Sequence, residues 1–386
     1  MTHRLEDPCR ELLLMCAGAK GAIASTVAVA AAELQQEARS VLSSLTTTTM
    51  PPLAAERLRL HLAGWDPMDG PLSAAVQHHG VVPAAVWQGH GAFLDALDIR
   101  RPPDGALLLA DQVASIADDM RNFMARHPEA RPVWVNLLPA ACDPILGPDT
   151  PTLNDLLQLP AAGLAPDLAY TLAALETGVP MVNFSPNTIE LPTICVEARR
   201  RGIPMAGRDG KTGQTYFKVV LASALKARAL YVDGWYSLNI LGNSDGRNLM
   251  DPERACGKLN NKTRLLDEIL GYPVGERYDA PTHKVHIDYY PPRGDAKEAW
   301  DVIDFTGIFG LPMSLRLNLQ GRDSILAAPM VIDLARWAAA LKTAGIGGPV
   351  ADLGFFFKKP VGESPPLTFQ EQLAALDRLA AVITAE

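Results

Sequence analysis

The run Leu12–Cys16 is the feature that most constrains how this chain can fold. An unbroken apolar run of this length is typical of a strand buried on both faces of a parallel sheet. A glycine-containing turn, Ala17–Gly21, follows it, and an Ala- and Val-rich stretch from Ala22 to Glu37 favours a helix. Strand, glycine turn and helix form the first unit of a dinucleotide-binding fold, in which the pyrophosphate lies at the helix N-terminus.

The glycine turn departs from the usual G-x-G-x-x-G spacing. Gly18 and Gly21 are present, but Lys20 occupies the third position, and the helix carries Ser25 and Thr26 instead of a final glycine. An ordinary strand-to-helix turn has the same pattern, so the sequence leaves both interpretations open.

Asp66 follows the second predicted strand, which ends at Gly64-Trp65. An acidic residue at this place often binds the ribose hydroxyls of a dinucleotide. Asp66 lies further from the glycines than the usual spacing of about 20 residues, so an insertion is required. A helix N-cap before Pro67 is the alternative interpretation.

Strands and helices continue to alternate up to Arg201. The next predicted helices and strands lie, in chain order, at 111–131, 133–138, 168–177 and 179–184. Asn136 and Ser185 stand at the carboxyl ends of the two strands, where open α/β sheets bind ligands, although Asn136 would equally cap the next turn. The alternation predicts an α/β protein with a Rossmann-type, doubly wound domain in residues 1–202, completed by 321–386.

The pattern changes after Arg201. A predicted helix is followed by sheet-like runs, and these elements lie at 213–229, 231–241, 284–290 and 313–320. The last run alternates with period two, which predicts a half-buried strand. We therefore expect an inserted α+β domain over 203–320, since 386 residues exceed one typical core. Helices are predicted beyond it, at 323–348 and from Phe369 onward.

The composition excludes several classes of protein. A net charge of −8 argues against a nucleic-acid surface, which needs clustered Lys and Arg. No stretch reaches the about 20 apolar residues of a membrane span. The five cysteines form no C-x-x-C pair, and the histidines have no zinc-ligand spacing. We therefore predict no membrane partner, no metal site and a cytoplasmic, reducing location.

The segment 207–262 has the composition of a site for a phosphorylated, oxygen-rich small molecule. Glycines, hydroxyl residues and spaced lysines recur in GRDGKTGQT, WYSLNILGNSDGRNL and GKLNNK. Gly210–Thr215 opens a predicted helix but lacks the P-loop spacing, so ATP hydrolysis is not expected. Its amides and Thr212 would bind a phosphate or a ribose, although helix capping explains the same residues.

Lysines are the candidate catalytic groups. Lys258 and Lys262 are four residues apart and so share one helix face, which in most proteins is simply solvated. Lys297 follows a Pro-Pro-Arg-Gly-Asp loop. Lys358 follows Phe355–Phe357, a predicted apolar strand, and an apolar environment disfavours the charged form of a lysine.

Taken together, these motifs resemble the inositol-3-phosphate synthase family. The family's motifs align with this chain in the same order: Gly-Asp-Asp-x-Lys-Ser-Gly-Gln-Thr at 207–215, Asn-x-Leu-Gly-Asn-Asn-Asp-Gly at 239–246, Ser-Lys-x-x-x-Lys at 257–262, Gly-Asp-x-Lys at 294–297 and Asp-Ser-x-x-Ala-x-Pro at 323–329. Thr212, Ser244 and Gly257 stand where these motifs have Ser, Asn and Ser. Arg208 replaces the first Asp of the Asp-Asp pair, and the glycine loop at 18–24 differs from that of many members.

The resemblance implies a set of site residues. The active-site lysines would be Lys258, Lys262, Lys297 and Lys358, supported by Asp209, Asp245 and Asp323. The cofactor contacts would be Gly18, Lys20, Gly21, Ser25, Thr26, Asp66, Asn136, Ser185, Asp209, Thr212, Asn243, Ser244, Asp295 and Ser324.

The resemblance also implies the chemistry. The family converts D-glucose 6-phosphate to 1D-myo-inositol 3-phosphate with bound NAD, by oxidation at C5, aldol closure between C1 and C6, and re-reduction. By this hypothesis Lys358, paired with Asp323, handles the C5 hydroxyl proton, and Lys258, Lys262 and Lys297 bind the phosphate and the C1 oxygen. A homotetramer assembled through the 203–320 sheet is implied as well.

Two other functions stay open at this point. One is a net NAD-dependent sugar-phosphate dehydrogenase, which would accumulate NADH. The other is a homologue that binds NAD or a metabolite without catalysis. Retention of all four lysines speaks against the second, because lysines that repel one another in a pocket are unfavourable without a ligand.

Overall fold

In a computed structural model of the chain, residues 10–141, 152–242, 246 and 265–384 are described. The chain divides into two compact units. The first unit consists of Met1–Gly210, Ala327–Pro365 and Ala375–Glu386, and the second of Lys211–Leu326 and Pro366–Ala374. The boundaries between the units, after Gly210 and after Leu326, therefore lie later along the chain than the boundaries predicted at 202 and 320.

The first unit contains a seven-stranded sheet in which every pair is parallel. Its strands are β1 (Glu11–Ala17), β2 (Arg59–Trp65), β3 (Asp98–Arg100), β4 (Arg131–Asn136), β5 (Met181–Asn183), β6 (Pro204–Gly207) and β11 (Gly348–Pro349). The order β11-β6-β5-β4-β1-β2-β3 is that of a doubly wound sheet, with its switch point between β1 and β4. The predicted Rossmann-type fold is confirmed.

The helices of the first unit connect these strands. They are α1 (Ala22–Gln35), α2 (Arg39–Leu42), α3 (Leu72–His79), α4 (Ala84–Trp87), α5 (Gly91–Asp95), α6 (Leu109–Arg126), α7 (Leu153–Leu157), α8 (Asp167–Thr177) and α9 (Pro192–Arg200). Two later helices, α11 (Asp323–Thr343) and α12 (Phe369–Thr384), belong to the first unit from Ala327 and Ala375 onward. Short 3₁₀ helices of the whole chain, as far as it is described, lie at Thr46–Thr49, Gln88–His90, Glu276–Tyr278, Pro291–Arg293, Ile308–Gly310 and Ala351–Phe356.

The apolar run of β1 is buried on both faces of the sheet. Leu12, Leu14 and Cys16 point into one apolar cluster, and Leu13 and Met15 into a second, and none of the five is exposed. This is the side-chain alternation of a strand between two helical layers. The continuous apolar run therefore identified the central strand correctly.

Helix α11 is long and apolar enough, by length and composition alone, to cross a membrane. In the structure, however, 78% of its most apolar window is buried. Trp337 and Leu341 of this helix are fully buried in the same cluster as Leu12. Among the described residues it is the one helix of this kind, and its burial is that of a core helix.

The second unit contains a four-stranded sheet with the order β10-β9-β7-β8. The strands are β7 (Tyr231–Leu241), β8 (His283–Tyr289), β9 (Ala296–Thr306) and β10 (Pro312–Arg322). Only β7 and β8 are parallel; β9 is antiparallel to both of its neighbours. Helix α10 (Gln214–Ala227) and the helical residues 265–270 contribute to the apolar core of this unit.

Strand β9 was not predicted, and charged residues interrupt its apolar pattern. Glu298 and Asp301 lie within it, yet both are buried. Asp301 accepts hydrogen bonds from Trp235 Nε1 at 2.7 Å and from Ser237 Oγ at 2.5 Å. A buried carboxylate that is supplied with donors is compatible with a central strand, and its partners lie too far along the chain to be read from spacing.

Residues 313–320 form a strand, as predicted. The strand is mostly exposed, however, and the prediction that it is half-buried was wrong. Within β10, Met313 and Leu315 are 42% and 36% exposed. The strand lies at the edge of the sheet, and both faces of its first half are open. Period-two alternation shows that the two faces of a strand differ in polarity, but it does not show that another element packs on the apolar face.

Candidate active site

The glycine turn after β1 is packed closely against neighbouring backbone. Gly18 has a φ of +84°, and a Cβ atom there would lie 3.0 Å from the Leu137 carbonyl oxygen. The Gly18 and Ala19 amides both donate to the carbonyl of Trp65, at the end of β2. Helix α1 then begins after Gly21 with no side-chain cap. Its first amide groups are therefore available to an anionic ligand.

Asp66 fixes this turn to the end of β2. Its Oδ2 accepts a hydrogen bond from the Lys20 amide at 2.8 Å, and its Oδ1 accepts one from the Met68 amide at 2.8 Å. The Lys20 ammonium donates to the carbonyls of Met68 and Gly70, both at 2.6 Å. The alternative interpretation of Asp66 as a helix N-cap is wrong, because the next helix begins at Leu72.

Ser25 and Thr26 are buried in the first turns of α1. The Ser25 hydroxyl donates to the Gly21 carbonyl at 2.8 Å, and the Thr26 hydroxyl donates to the Ala22 carbonyl at 2.8 Å. Each hydroxyl thus donates its hydrogen bond to a carbonyl at the start of α1. A contact between either residue and a cofactor stays a prediction.

Asn136 and Ser185 are buried at the carboxyl ends of β4 and β5. Asn136 Oδ1 accepts from the Leu138 amide at 3.2 Å, which is the turn-capping role left open by the sequence. The Ser185 carbonyl accepts from the Asp209 amide at 3.0 Å. Ser185 therefore contributes to the position of a predicted catalytic residue in the same unit.

Asp209 and Lys358 form an ion pair within the first unit. Lys358 Nζ lies 2.7 Å from Asp209 Oδ1, and the Lys358 amide donates to the Asp209 carbonyl at 2.7 Å. The side chains of Lys358 and Asp209 are 28% and 13% exposed. Asp209 has a φ of +63°, in the left-handed region that few residues other than glycine adopt. Strained backbone of this kind is concentrated at functional sites.

The chain on either side of this pair holds it in place. The Arg208 amide donates to the Lys359 carbonyl at 2.9 Å, and a Cβ atom at Gly210 would lie 2.1 Å from the Phe184 ring. The prediction of a strand before Lys358 was wrong, because Ala351–Phe356 is a 3₁₀ helix. Three consecutive Phe residues indicate burial but do not distinguish a strand from a tight helix.

Lys297 and Asp323 form an ion pair within the second unit. Lys297 lies on β9, and its Nζ is 3.2 Å from Oδ2 of Asp323, the first residue of α11. The Thr212 hydroxyl donates to Asp323 Oδ1 at 3.2 Å. The side chains of Lys297 and Asp323 are 17% and 30% exposed. Ser324, the next residue of α11, is buried, and Asp295 lies on the loop before β9.

Several predicted site residues lie outside the described part of the chain: Asn243, Ser244, Asp245, Lys258 and Lys262. The predicted pairing of Lys358 with Asp323 joins residues of different units and stays a prediction. Within the units, the partner of Lys358 is Asp209, and the partner of Asp323 is Lys297.

Two further lysines, which the sequence did not single out, are buried in the second unit. Lys211 Nζ donates to Gln372 Oε1 at 2.8 Å, and burial lowers the pKa of Lys211 to about 7. Lys218 Nζ lies 2.8 Å from His283 Nε2, and burial lowers its pKa to about 8 although Asp301 opposes this shift. The position of Lys211 inside the 207–215 motif is the one sequence signal that pointed to either residue.

Arg208, which replaces an Asp of the family motif, is also paired. Its Nη1 lies 3.1 Å from Glu190 Oε2, and the Glu190 side chain is only 7% exposed. The positive charge that this replacement introduces is therefore balanced within the first unit. Among the described residues, no group of three or more His, Cys, Asp or Glu side chains is arranged to hold a metal ion.

A family model and the curated relatives point to the same kind of protein. Residues 213–324 match a family model described as myo-inositol-1-phosphate synthase. Inositol-3-phosphate synthase 1 of Bacteroides thetaiotaomicron is 42% identical over 202 residues, which cover 51% of this chain and 47% of the relative. The chain spans about half the length of the curated relatives that it matches.

Solved structures extend the likeness over nearly the whole chain. An inositol-3-phosphate synthase from Caenorhabditis elegans superposes with a TM-score of 0.81 at 19% identity, covering 97% of this chain and 86% of that one. A myo-inositol-1-phosphate synthase-related protein from Thermotoga maritima superposes with a TM-score of 0.72 at 20% identity, covering 97% and 98%. The resemblance that the motifs indicated is confirmed: this chain is similar to inositol-3-phosphate synthases in sequence over part of its length, including residues 213–324, and in fold over nearly its whole length.

Proposed function

We propose that this chain converts D-glucose 6-phosphate to 1D-myo-inositol 3-phosphate in an NAD-dependent reaction without net redox change. The observation that carries the proposal is the presence of two lysine–aspartate pairs, Lys358–Asp209 and Lys297–Asp323, at positions marked by the family motifs. The family relationship supplies the reaction type, and the two pairs supply charged groups suited to it.

The first unit fits a dinucleotide. The N-terminus of α1, which has no side-chain cap, offers amide donors for a pyrophosphate. Each carboxylate oxygen of Asp66 accepts one backbone amide and has a further lone pair for a ribose hydroxyl. A nicotinamide cofactor held by these residues would supply reversible hydride transfer at C5 of the sugar.

Lys358 is assigned to the C5 hydroxyl proton. The 2.7 Å separation from Asp209 Oδ1 allows the ammonium to pass a proton to the carboxylate and become a neutral amine. The neutral amine accepts the C5 hydroxyl proton and gives it back when the ketone is reduced. Asp209 thus serves as the proton partner of Lys358 in this proposal.

Lys297 is assigned to the oxygen at C1. Asp323 and the Thr212 hydroxyl fix the position of the ion pair, so the ammonium is oriented before the substrate reacts. A preoriented cation stabilises the alkoxide that forms at C1 when C6 attacks the aldehyde. Lys258 and Lys262, outside the described residues, are assigned to the phosphate and the same oxygen on the family motif alone.

The proposal is tested by incubating the purified chain with glucose 6-phosphate and NAD while inositol phosphate and NADH are followed together. Formation of inositol phosphate without net NADH supports it. NADH that accumulates in step with substrate loss would identify a sugar-phosphate dehydrogenase instead. Binding of NAD without conversion would identify a non-catalytic homologue.

We also propose that the chain assembles as a homotetramer through the second-unit sheet. Large apolar side chains are exposed on the turn between β9 and β10 and on β10 itself: Ile308 (77%), Phe309 (87%), Leu311 (61%), Met313 (42%) and Leu315 (36%). Contiguous exposed apolar residues of this kind mark interaction surfaces. The double variant Phe309→Asp and Leu311→Asp should lower the mass measured by light scattering. An unchanged tetramer would place the interface elsewhere.

A cytoplasmic location is proposed from the cysteines. Cys16 and Cys195 are free thiols, and burial raises the pKa of Cys16 to about 12. Buried, inert thiols are typical of proteins from reducing compartments. Subcellular fractionation of the producing cells tests this, and recovery with an oxidising compartment would contradict it.

A further inference from the structure

A fully buried aspartate lies at the centre of a polar network in the first unit. Asp167, the first residue of α8, has no exposed surface. Its Oδ1 accepts hydrogen bonds from Asn136 Nδ2 at 2.5 Å and from Asn187 Nδ2 at 2.9 Å. Its Oδ2 is also buried and has no hydrogen-bond partner among the described residues. Oδ1 thus accepts two hydrogen bonds, whereas the buried Oδ2 accepts none from the described residues.

The network continues from Asp167 towards β6. Asn136 Nδ2 also donates to Asn183 Oδ1 at 3.0 Å, which connects the ends of β4 and β5. Asn183 Nδ2 donates to Glu190 Oε1 at 2.9 Å, and Glu190 pairs with Arg208. This series of contacts ends at Arg208, the residue before Asp209.

The loop that this network shapes also holds Asp209 directly. The carbonyls of Phe184 and Ser185 accept the amides of Gly210 and Asp209, at 3.2 and 3.0 Å. Within the same loop, Asn187 donates one amide hydrogen to Asp167 and the other to the Pro139 carbonyl at 2.9 Å. Displacement of Asn187 would therefore move the carbonyls that hold Asp209.

An ionised carboxylate is unfavourable in this environment. A buried charge is tolerated when it is paired or fully supplied with donors, and Oδ2 of Asp167 has neither among the described residues. Burial raises the pKa of Asp167, and the hydrogen bonds from Asn136 and Asn187 oppose the shift only in part.

The neighbouring titratable groups do not favour ionisation either. Tyr170, on the same helix, is buried, which raises its pKa, and it lies near the carboxylates of Asp119 and Asp66. The Glu190–Arg208 pair lies beyond Asn183 and is internally balanced. Among the described residues, no cation is within ion-pair distance of Asp167.

We propose that Asp167 is a neutral carboxylic acid in the folded protein at neutral pH, and that it is a positioning residue for the Asp209–Lys358 pair. Its carbonyl-like Oδ1 fixes the two asparagines, and these fix the loop that hydrogen-bonds to Asp209. The statement about protonation is independent of enzymatic function, and the positioning role rests on the proposed function.

Protonation is tested by stability against pH in the wild type and in Asp167→Asn, which keeps the Oδ1 acceptor and cannot ionise. A group whose pKa is raised by folding contributes stability below its unfolded pKa, and this contribution is lost as pH rises through the folded pKa. From about pH 5 to about pH 7, the unfolding equilibrium constant of the wild type should therefore rise relative to that of the variant, by about tenfold per pH unit. If the stabilities of the wild type and Asp167→Asn change in parallel above about pH 5, Asp167 is ionised in the folded protein and the proposed protonation is wrong.

Asp333 offers a matched control in the same unit. It is 2% exposed, and its carboxylate accepts four hydrogen bonds, from the amide and the hydroxyl of both Thr46 and Thr47. Asp333→Asn turns an acceptor into a donor that faces other donors, so it should destabilise the protein at every pH in this range. Infrared difference spectra add a direct signature, because Asp167→Asn should remove one protonated-carboxyl band.

Positioning is tested by kinetics of variants that fold. Asp167→Asn should keep kcat and its pH profile, whereas Asp167→Leu should lower kcat by about 10- to 100-fold with little change in KM, since the loop behind Asp209 shifts. If Asp167→Leu does not fold, Asn187→Ala removes the next contact and should have the same effect on kcat. A folded variant of either kind with wild-type kcat would overturn the positioning role. An inactive wild type would instead contradict the proposed function and leave the stability test valid.

Discussion

The two lysine–aspartate pairs differ in which partner lies deeper in the protein. In the first unit Asp209 is the more buried partner, with 13% of its side chain exposed against 28% for Lys358. In the second unit Lys297 is the more buried partner, with 17% exposed against 30% for Asp323. The same pair of residue types thus presents mainly its lysine to solvent in one unit and mainly its aspartate in the other.

The pairs also differ in what holds them. Asp209 and Lys358 are joined by their backbones as well as their side chains, because the Lys358 amide donates to the Asp209 carbonyl. Lys297 and Asp323 meet through side chains, with support from the Thr212 hydroxyl. A group that has to gain and lose a proton benefits from a partner fixed by the backbone, whereas a group that supplies a constant positive charge needs only orientation.

The largest effect is expected at Lys358. Lys358→Ala should lower kcat by about 10²- to 10⁴-fold, because the proton acceptor for the C5 hydroxyl is removed. Steady-state assays of inositol phosphate formation measure this. Lys284→Ala, which removes an exposed lysine of β8, is the control and should keep wild-type turnover. Intact turnover in Lys358→Ala would contradict the assignment.

A smaller effect is expected at Lys297. Lys297→Ala removes one cation from the alkoxide and should lower kcat/KM by about 10²- to 10³-fold. Lys297→Arg, which keeps the charge, should recover part of that loss, while Lys358→Arg should recover little, since a guanidinium does not give up its proton. Equal recovery by Arg at both positions would remove the distinction between the two pairs.

The opposite depths of the pairs predict opposite effects on stability. In the first unit Lys358→Met leaves the deeper Asp209 unpaired, and it should destabilise more than Asp209→Asn does, by about 1–3 kcal/mol. In the second unit the order should reverse, with Asp323→Asn worse than Lys297→Met. Denaturant midpoints of the four variants measure this. The same order in both units would show that burial does not govern these pairs.

The smallest effect is expected at Thr212. Thr212→Val removes the hydroxyl that donates to Asp323 and should destabilise the second unit by about 0.5–1.5 kcal/mol, with a few-fold loss of activity. Thr212→Ser keeps the hydroxyl and is the matched control. A Val variant that equals the Ser variant in both measurements would show that the 3.2 Å contact has no role.

Much of the fold followed from apolar patterning. Strands β1, β4 and β5 and helices α1, α6, α8 and α11 were predicted from apolar runs and helical periodicity, whereas β3, β6 and β11 were not. Strand β9 was not predictable in this way, because the buried Asp301 is supplied with donors by Gln214, Trp235 and Ser237. The apolar pattern of a sequence predicts which apolar side chains are buried. It does not predict the burial of a polar group whose hydrogen-bond partners are distant in sequence.

The candidate site was predictable in its residue types and less so in its pairings. The motifs predicted Lys297, Lys358, Asp209 and Asp323 as site residues, and both their place in the site and their roles stay predictions. The ion pair between Lys358 and Asp209 joins residues 149 positions apart through backbone pairing that no local motif encodes. Asp167 lies one residue before the helix predicted at 168–177, and nothing in the sequence singled it out, because one of its partners ends β4 and the other follows β5.

The central claim is a reaction in which the hydride removed from C5 returns to C5. Glucose 6-phosphate deuterated at C5 tests it most directly, with mass spectrometry of both the inositol phosphate and the nicotinamide cofactor after conversion. We predict that the product keeps its deuterium and that no deuterated NADH accumulates in solution. Loss of the label from the product, or deuterated NADH formed in proportion to the substrate consumed, would contradict a redox-neutral cyclisation.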